Sequence, residues 1–168
     1  MKNFFPFPVF LALAFFHTPA ISGTWLFEDG YTDDSDRICA MTYAYNVNQN
    51  NFVTIKRIDG GKYPILFVTL RKRSWKIPSG TKMDLLIDFG NGVRFKVRGM
   101  GLEKNVEIPI LKEWEPDFKR ALRNSKSLKI TFLSGNEKPW NQTFPNQKKT
   151  INQFFSCVDD INQSTQPF

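Results

Sequence analysis

Between Met83 and Arg98 the chain alternates apolar and polar side chains on both sides of Gly90-Asn91-Gly92, and no other segment constrains the fold as tightly. Met83, Leu85, Ile87 and Phe89 alternate with Asp84, Leu86 and Asp88; Val93, Phe95 and Val97 alternate with Arg94, Lys96 and Arg98. A two-residue loop at Asn91-Gly92, the usual reading of an Asn-Gly pair, would set Phe89 against Arg94 and Ile87 against Lys96. A three-residue loop, Gly90 to Gly92, sets Phe89 against Val93, Ile87 against Phe95 and Leu85 against Val97. It also places Asp88 opposite Arg94 and Asp84 opposite Arg98. A slip of one residue turns every side chain to the other face, so the register with one apolar face and paired charges on the other is favoured. The pattern predicts the three-residue loop.

The same grammar of short alternating runs and turn residues recurs along the chain. Strands are expected at 39–45, 52–58, 65–70, 106–111, 128–133 and 140–144 besides the hairpin, with turn clusters at Asn46–Asn51, Asp59-Gly60-Gly61-Lys62 and Ser134-Gly135-Asn136. Trp75-Lys76-Ile77-Pro78-Ser79-Gly80 reads as a rigid turn into Met83. Glu115-Pro116 opens a short helix, with proline in the first turn where its missing N–H is tolerated and Trp114, Phe118, Ala121 and Leu122 on its inner side. Ile151, Phe154, Phe155, Val158 and Ile161 recur at helical spacing over 148–161. The expected architecture is mainly β: one β-sandwich or meander domain, residues 38–161, of seven or eight antiparallel strands with two short helices. A polar lead-in anchored by Trp25 and Phe27 occupies 23–37, and a polar tail 162–168.

The first 22 residues have the layout of a secretory signal. A single early lysine precedes an apolar run from Phe4 to Phe16, and Ala20-Ile21-Ser22 supplies the small residues of a cleavage site. The run is too short to span a bilayer comfortably, so an exported, periplasmic or secreted product without a transmembrane segment is expected. Processing would remove the only histidine, His17, and Lys2. Loss of Lys2 from 23 basic residues leaves 22 against 16 acidic, a net of +6. Five of those acids lie between Glu28 and Asp36, so residues 37–168 carry 22 basic and 11 acidic side chains, +11. Such a body favours anionic partners, although a modest positive charge also serves simply to keep a small protein soluble.

Cys39 and Cys157 stand near the two ends of the domain. In an exported chain an even pair reads as a disulfide; two buried free thiols are the alternative. Without histidine or a free thiolate, Ser-His-Asp and Cys-His sites and His-containing metal sites cannot be built. No P-loop, dinucleotide fingerprint, EF-hand loop or CxxC occurs. Carboxylates remain, but Asp84 and Asp88, four apart on one strand, are about 13 Å apart at strand rise and face arginines. A non-enzymatic protein is expected, with no cofactor, no metal and no catalytic residue.

The residues singled out for binding are Arg71, Lys72, Arg73, Trp75 and Lys76 in one run and Arg94, Lys96 and Arg98 on one strand face. Three readings fit them: a solvated sheet face, a patch for an anionic or protein partner, and a nucleic-acid surface of interleaved aromatics and bases. The last is disfavoured because Phe52, Phe67, Phe89 and Phe95 alternate as core residues would. The expected function is binding of an envelope or host partner by a monomer. The alternative is an inhibitor of a protease or lysozyme acting through Arg71–Gly80.

Four segments carry a family resemblance: Cys39-Ala40-Met41, Trp75-Lys76-Ile77-Pro78-Ser79-Gly80, Ile87-Asp88-Phe89-Gly90 and Phe155-Ser156-Cys157. Over about residues 38–158 the chain resembles the small exported bacterial proteins related to invasion-associated locus B. The resemblance implies a periplasmic or surface-associated β-sandwich linked to host-cell colonisation, with no enzymatic site. The further internal cysteine pair common in that family is missing here, and no functional residue carries over.

Overall fold

The computed structural model describes residues 24–46, 51–59, 65–143 and 147–164. Residues 1–23, which the sequence reading takes to include a secretory signal, most of the Asn46–Asn51 and Asp59–Lys62 turns, Phe144 and the last four residues lie outside the described residues.

Nine strands and two helices follow one another: β1 (Trp25–Tyr31), β2 (Arg37–Asn46), β3 (Asn51–Ile58), β4 (Ile65–Arg71), β5 (Lys82–Asp88), β6 (Arg94–Leu102), β7 (Asn105–Ile110), α1 (Glu115–Asn124), β8 (Ser127–Phe132), β9 (Trp140–Thr143) and α2 (Lys148–Ser164). The class is the mainly β one expected. All nine strands join a single curled antiparallel sheet in the order β1-β2-β3-β4-β7-β6-β5-β8-β9.

The ninth strand comes from the lead-in. β1 pairs with β2 from Trp25↔Tyr43 to Tyr31↔Arg37, and α2 packs on both. Of its side chains only Trp25 is buried, so an edge strand held by backbone pairing shows little side-chain periodicity. The helix α2 likewise runs on past Ile161 to Ser164, because Asn162 accepts a hydrogen bond from the buried Arg57 guanidinium on β3.

Two connections leave the meander order. Residues 72–81 carry the chain from β4 across the β6–β7 turn to β5, and α1 carries it from β7 past the β5–β6 turn to β8. Strands β4-β7-β6-β5 and β8-β5-β6-β7 thus form two overlapping Greek keys. The crossover 72–81 is pinned to the turn beneath it: Ile77 and Glu103 exchange N–H···O=C bonds (2.8 and 3.0 Å), and the Gly80 N–H donates to the Gly101 carbonyl (2.9 Å).

One face of the sheet is mainly apolar, with Arg57, Asn51 and Gln142 as its buried polar residues. Val53, Ile55, Leu66, Val68, Leu70, Leu85, Ile87, Val106, Ile108 and Ile130 are fully buried on it. At one end Phe89 and Phe95 meet Phe118 of α1 at ring-centroid distances of 5.3 and 5.8 Å. The α2 stripe Ile151, Phe154, Phe155, Val158 and Ile161 is buried as its spacing predicts. Cys39 and Cys157 are bonded, joining β2 to α2. No helix among the described residues is long and apolar enough to cross a membrane.

Candidate functional site

The hairpin β5–β6 has the register read from its side chains: Leu85↔Val97, Ile87↔Phe95, Asp84↔Arg98 and Asp88↔Arg94, with the Phe89 N–H donating to the Val93 carbonyl at 3.1 Å across the three-residue turn. Phe95, Val97, Gly99 and Gly101 of β6 point inward, and Arg94, Lys96, Arg98 and Met100 point to solvent. The candidate basic face therefore exists as a row on β6.

Part of its charge is already engaged. Arg94 Nε lies 2.8 Å from Asp88, and Arg98 Nε 3.0 Å from Asp84. The Gly90 N–H, donating to Asp88 at 2.7 Å, holds that carboxyl below the usual carboxylate range; burial works against this and Arg94 adds to it. Lys96 has no ion-pair partner among the described residues and is the residue of the row whose charge faces solvent unopposed.

The run 71–76 is not part of the same patch. Arg71 ends β4 and pairs with Asn105, which pairs with Leu102. Arg98 lies four residues back along β6, about 13 Å at strand rise. Lys72 is drawn away to Glu137, Nζ to Oε2 2.8 Å. Trp75 stacks on Trp140 at 5.4 Å and donates its indole N–H to Glu137 (3.1 Å). Trp75 is thus a packing residue of the crossover, while Arg73 and Lys76 stay exposed. Glu137, which the sequence reading passed over, accepts from Lys72, Trp75 and Trp140 together. Burial raises its pKa, but these three donors outweigh burial and leave the carboxyl below its ordinary range.

Beside the β6 row the β6–β7 ladder is short, although Val106 and Ile108 still lie against Gly99. The β6–β7 ladder runs from Leu102↔Asn105 to Met100↔Glu107 and stops, although β5 follows β6 down to Arg94 and β4 follows β7 to Ile110. Continued two residues, the register would set Arg98 against Pro109, which has no N–H to donate. The outer face of these strands carries a groove of about 520 Å³ with Met100, Pro109, Leu111 and Trp114 as apolar lining and Lys82, Lys96 and Arg98 as cationic lining. Met100 and Leu111, which both line the groove, are 50% and 44% exposed. The sequence signal for the groove is Pro109 itself, since proline inside a strand marks an edge or a break in pairing.

Two further acids, Glu107 and Asp29, are engaged by neighbours. Glu107 holds Lys56 at 3.2 Å and accepts from the Thr69 hydroxyl at 2.9 Å. Asp29, Cys39 and Cys157 lie within 4.8 Å of one another, but the two sulfurs are bonded to each other and Arg37 holds Asp29 at 3.0 Å. No family model, no curated protein and no solved structure matches the chain.

Proposed function

We propose that this protein is an exported, non-enzymatic binder that engages an anionic envelope or host partner through the solvent face of β6. The observation that carries the reading is the unopposed Lys96, standing between Arg94 and Arg98 on the edge of an apolar groove. A positive row next to exposed apolar surface suits a partner that offers carboxylates or phosphates together with hydrophobic groups. The carboxylates that face the row are held by its arginines, and the two cysteines are bonded to each other. Both facts favour recognition over bond-making. The resemblance to proteins related to invasion-associated locus B points the same way.

The test compares the oxidised protein with a variant carrying Arg94→Glu, Lys96→Glu and Arg98→Glu. Binding is measured to an acidic peptide, to vesicles containing phosphatidylglycerol and to an anionic polysaccharide, each at low and at physiological salt. Loss of binding on charge reversal, and weakening with salt, is the expected result. Unchanged binding to all three probes would remove the proposal.

A second reading, inhibition of a protease or lysozyme through Arg71–Gly80, draws on the rigidity of that crossover, which is hydrogen-bonded along its length to residues 101–104. Because Trp75 is turned to Trp140, the exposed Arg73 and Lys76 would make the contact. Stoichiometric slowing of a defined hydrolase, lost in an Arg73→Ala/Lys76→Ala variant, is its signature.

A further inference from the structure

From the lining of the groove we infer that its ligand is a free, single-chain anionic amphiphile, a long-chain carboxylate whose head meets lysine and whose tail lies along β7. This rests on the β6 face being the binding surface and specifies what it binds. Lys82 on β5 stands across from Met100, which stands across from Glu107 on β7. Carried on from there, the register sets Arg98 beside Pro109 and Lys96 beside Leu111. One wall of the groove, on β5 and β6, therefore holds the cations, and the other holds Pro109, Leu111 and Trp114. Charge and apolar surface run side by side on one face.

The three cations are not equivalent. Arg98 is held at 3.0 Å by Asp84, the one acid of the lining. Lys82 and Lys96 have no ion-pair partner among the described residues, and both are exposed. Their ammonium groups are the donors open to a carboxylate. The floor favours a single chain over a membrane surface. Val97 and Gly99 belong to the lining, yet the Val97 side chain is buried and Gly99 has none. The floor is thus β6 backbone, set below the side chains on either side, where a flat bilayer does not reach. Met100, Pro109, Leu111 and Trp114 offer a tail the apolar contact from which a bare anion would gain nothing. The volume of about 520 Å³ falls within the range of small-molecule sites, roughly 300–1,000 Å³.

The experiment measures binding of dodecanoate and of octanoate to the oxidised whole protein by calorimetry, each below its micelle-forming concentration. A fully buried methylene raises affinity about fourfold. The groove is open to solvent along its length, so only roughly tenfold is expected for the four extra methylenes of dodecanoate. Lys82→Gln/Lys96→Gln should weaken dodecanoate binding roughly tenfold and flatten its salt dependence. Met100→Ser/Leu111→Ser should bring dodecanoate down to the affinity of octanoate and leave binding of an acidic peptide unchanged. The chain-length comparison uses the unaltered protein and does not depend on a variant folding.

Equal affinity for the two carboxylates would mean that charge alone acts. Binding of phosphatidylglycerol vesicles without binding of dodecanoate would mean that the face docks on a bilayer. Either result overturns the inference and leaves β6 as a binding surface. If dodecanoate, the acidic peptide, the vesicles and the anionic polysaccharide all fail to bind, the β6 reading falls with it.

Discussion

Ile77 lies against Gly101 so closely that a Cβ added at residue 101 would sit 2.3 Å from Ile77 Cγ2. The crossover 72–81 can cap the β6–β7 turn only because that position has no side chain. Gly101→Ala is expected to destabilise the fold by about 1–3 kcal/mol, the range for overpacking a filled site. Shortening the neighbour should relieve it. In urea unfolding, Gly101→Ala/Ile77→Ala should therefore fall short of the sum of the two single effects. Strict additivity would mean that the two residues do not bear on each other.

Cys39 and Cys157 close a loop of 118 residues between β2 and α2. Replacing both by alanine releases that constraint on the unfolded chain, for which roughly 2–5 kcal/mol is typical. The double variant should unfold at lower urea, and adding reductant should bring the unaltered protein toward it. If reduction leaves the unfolding midpoint in place, the bond contributes nothing to stability.

Arg57 is 5% exposed, and Glu115 of α1 holds it at 2.9 Å. Burial disfavours the charged Glu115, but Lys119 and Arg57 outweigh burial and hold its pKa below the ordinary range. Arg57→Met leaves Glu115 to Lys119, which holds it at 3.0 Å, so the single variant is expected to destabilise by about 1–3 kcal/mol, the cost of a lost charge-assisted hydrogen bond. Arg57→Met with Glu115→Leu should recover most of that loss. A double variant no more stable than Arg57→Met would argue that α1 docks without the pair.

Glu137 makes stability depend on pH. Its folded pKa is lowered from the ordinary 4.5, so its contribution is present above that value and is lost as pH falls through the folded one. Stacked Trp75 and Trp140 report the event by fluorescence. The unaltered protein should lose stability on acidification below about pH 4.5, and Glu137→Gln should show a smaller dependence over that window. Identical acid profiles would remove Glu137 from the explanation.

The parts of the fold that side-chain periodicity encodes were legible in the chain. Alternation around Gly90–Gly92 specified a register down to Asp84↔Arg98, and the 3.6-residue spacing of Ile151 to Ile161 specified the buried side of α2. What periodicity does not encode was missed. β1 is held by backbone bonds to β2, and its exposed acids made it read as a lead-in. Glu137 gains its role from Lys72 and Trp75, 65 and 62 residues away in sequence. The eight basic and aromatic residues singled out for binding divide between a pinned crossover and a strand face, a separation set by Greek-key crossings. Pro109 was visible, but its effect on the β6–β7 ladder needed the pairing of β7 with β4 to be known.

The most direct measurement is backbone-amide NMR of the oxidised protein titrated with an acidic peptide. Shift changes should concentrate at Lys96, Arg98 and Met100 and at the Trp114 indole across the groove, and they should vanish when Lys96 becomes Glu. Changes centred instead on Arg73 and Lys76, or spread evenly over every lysine and arginine, would contradict binding through the solvent face of β6.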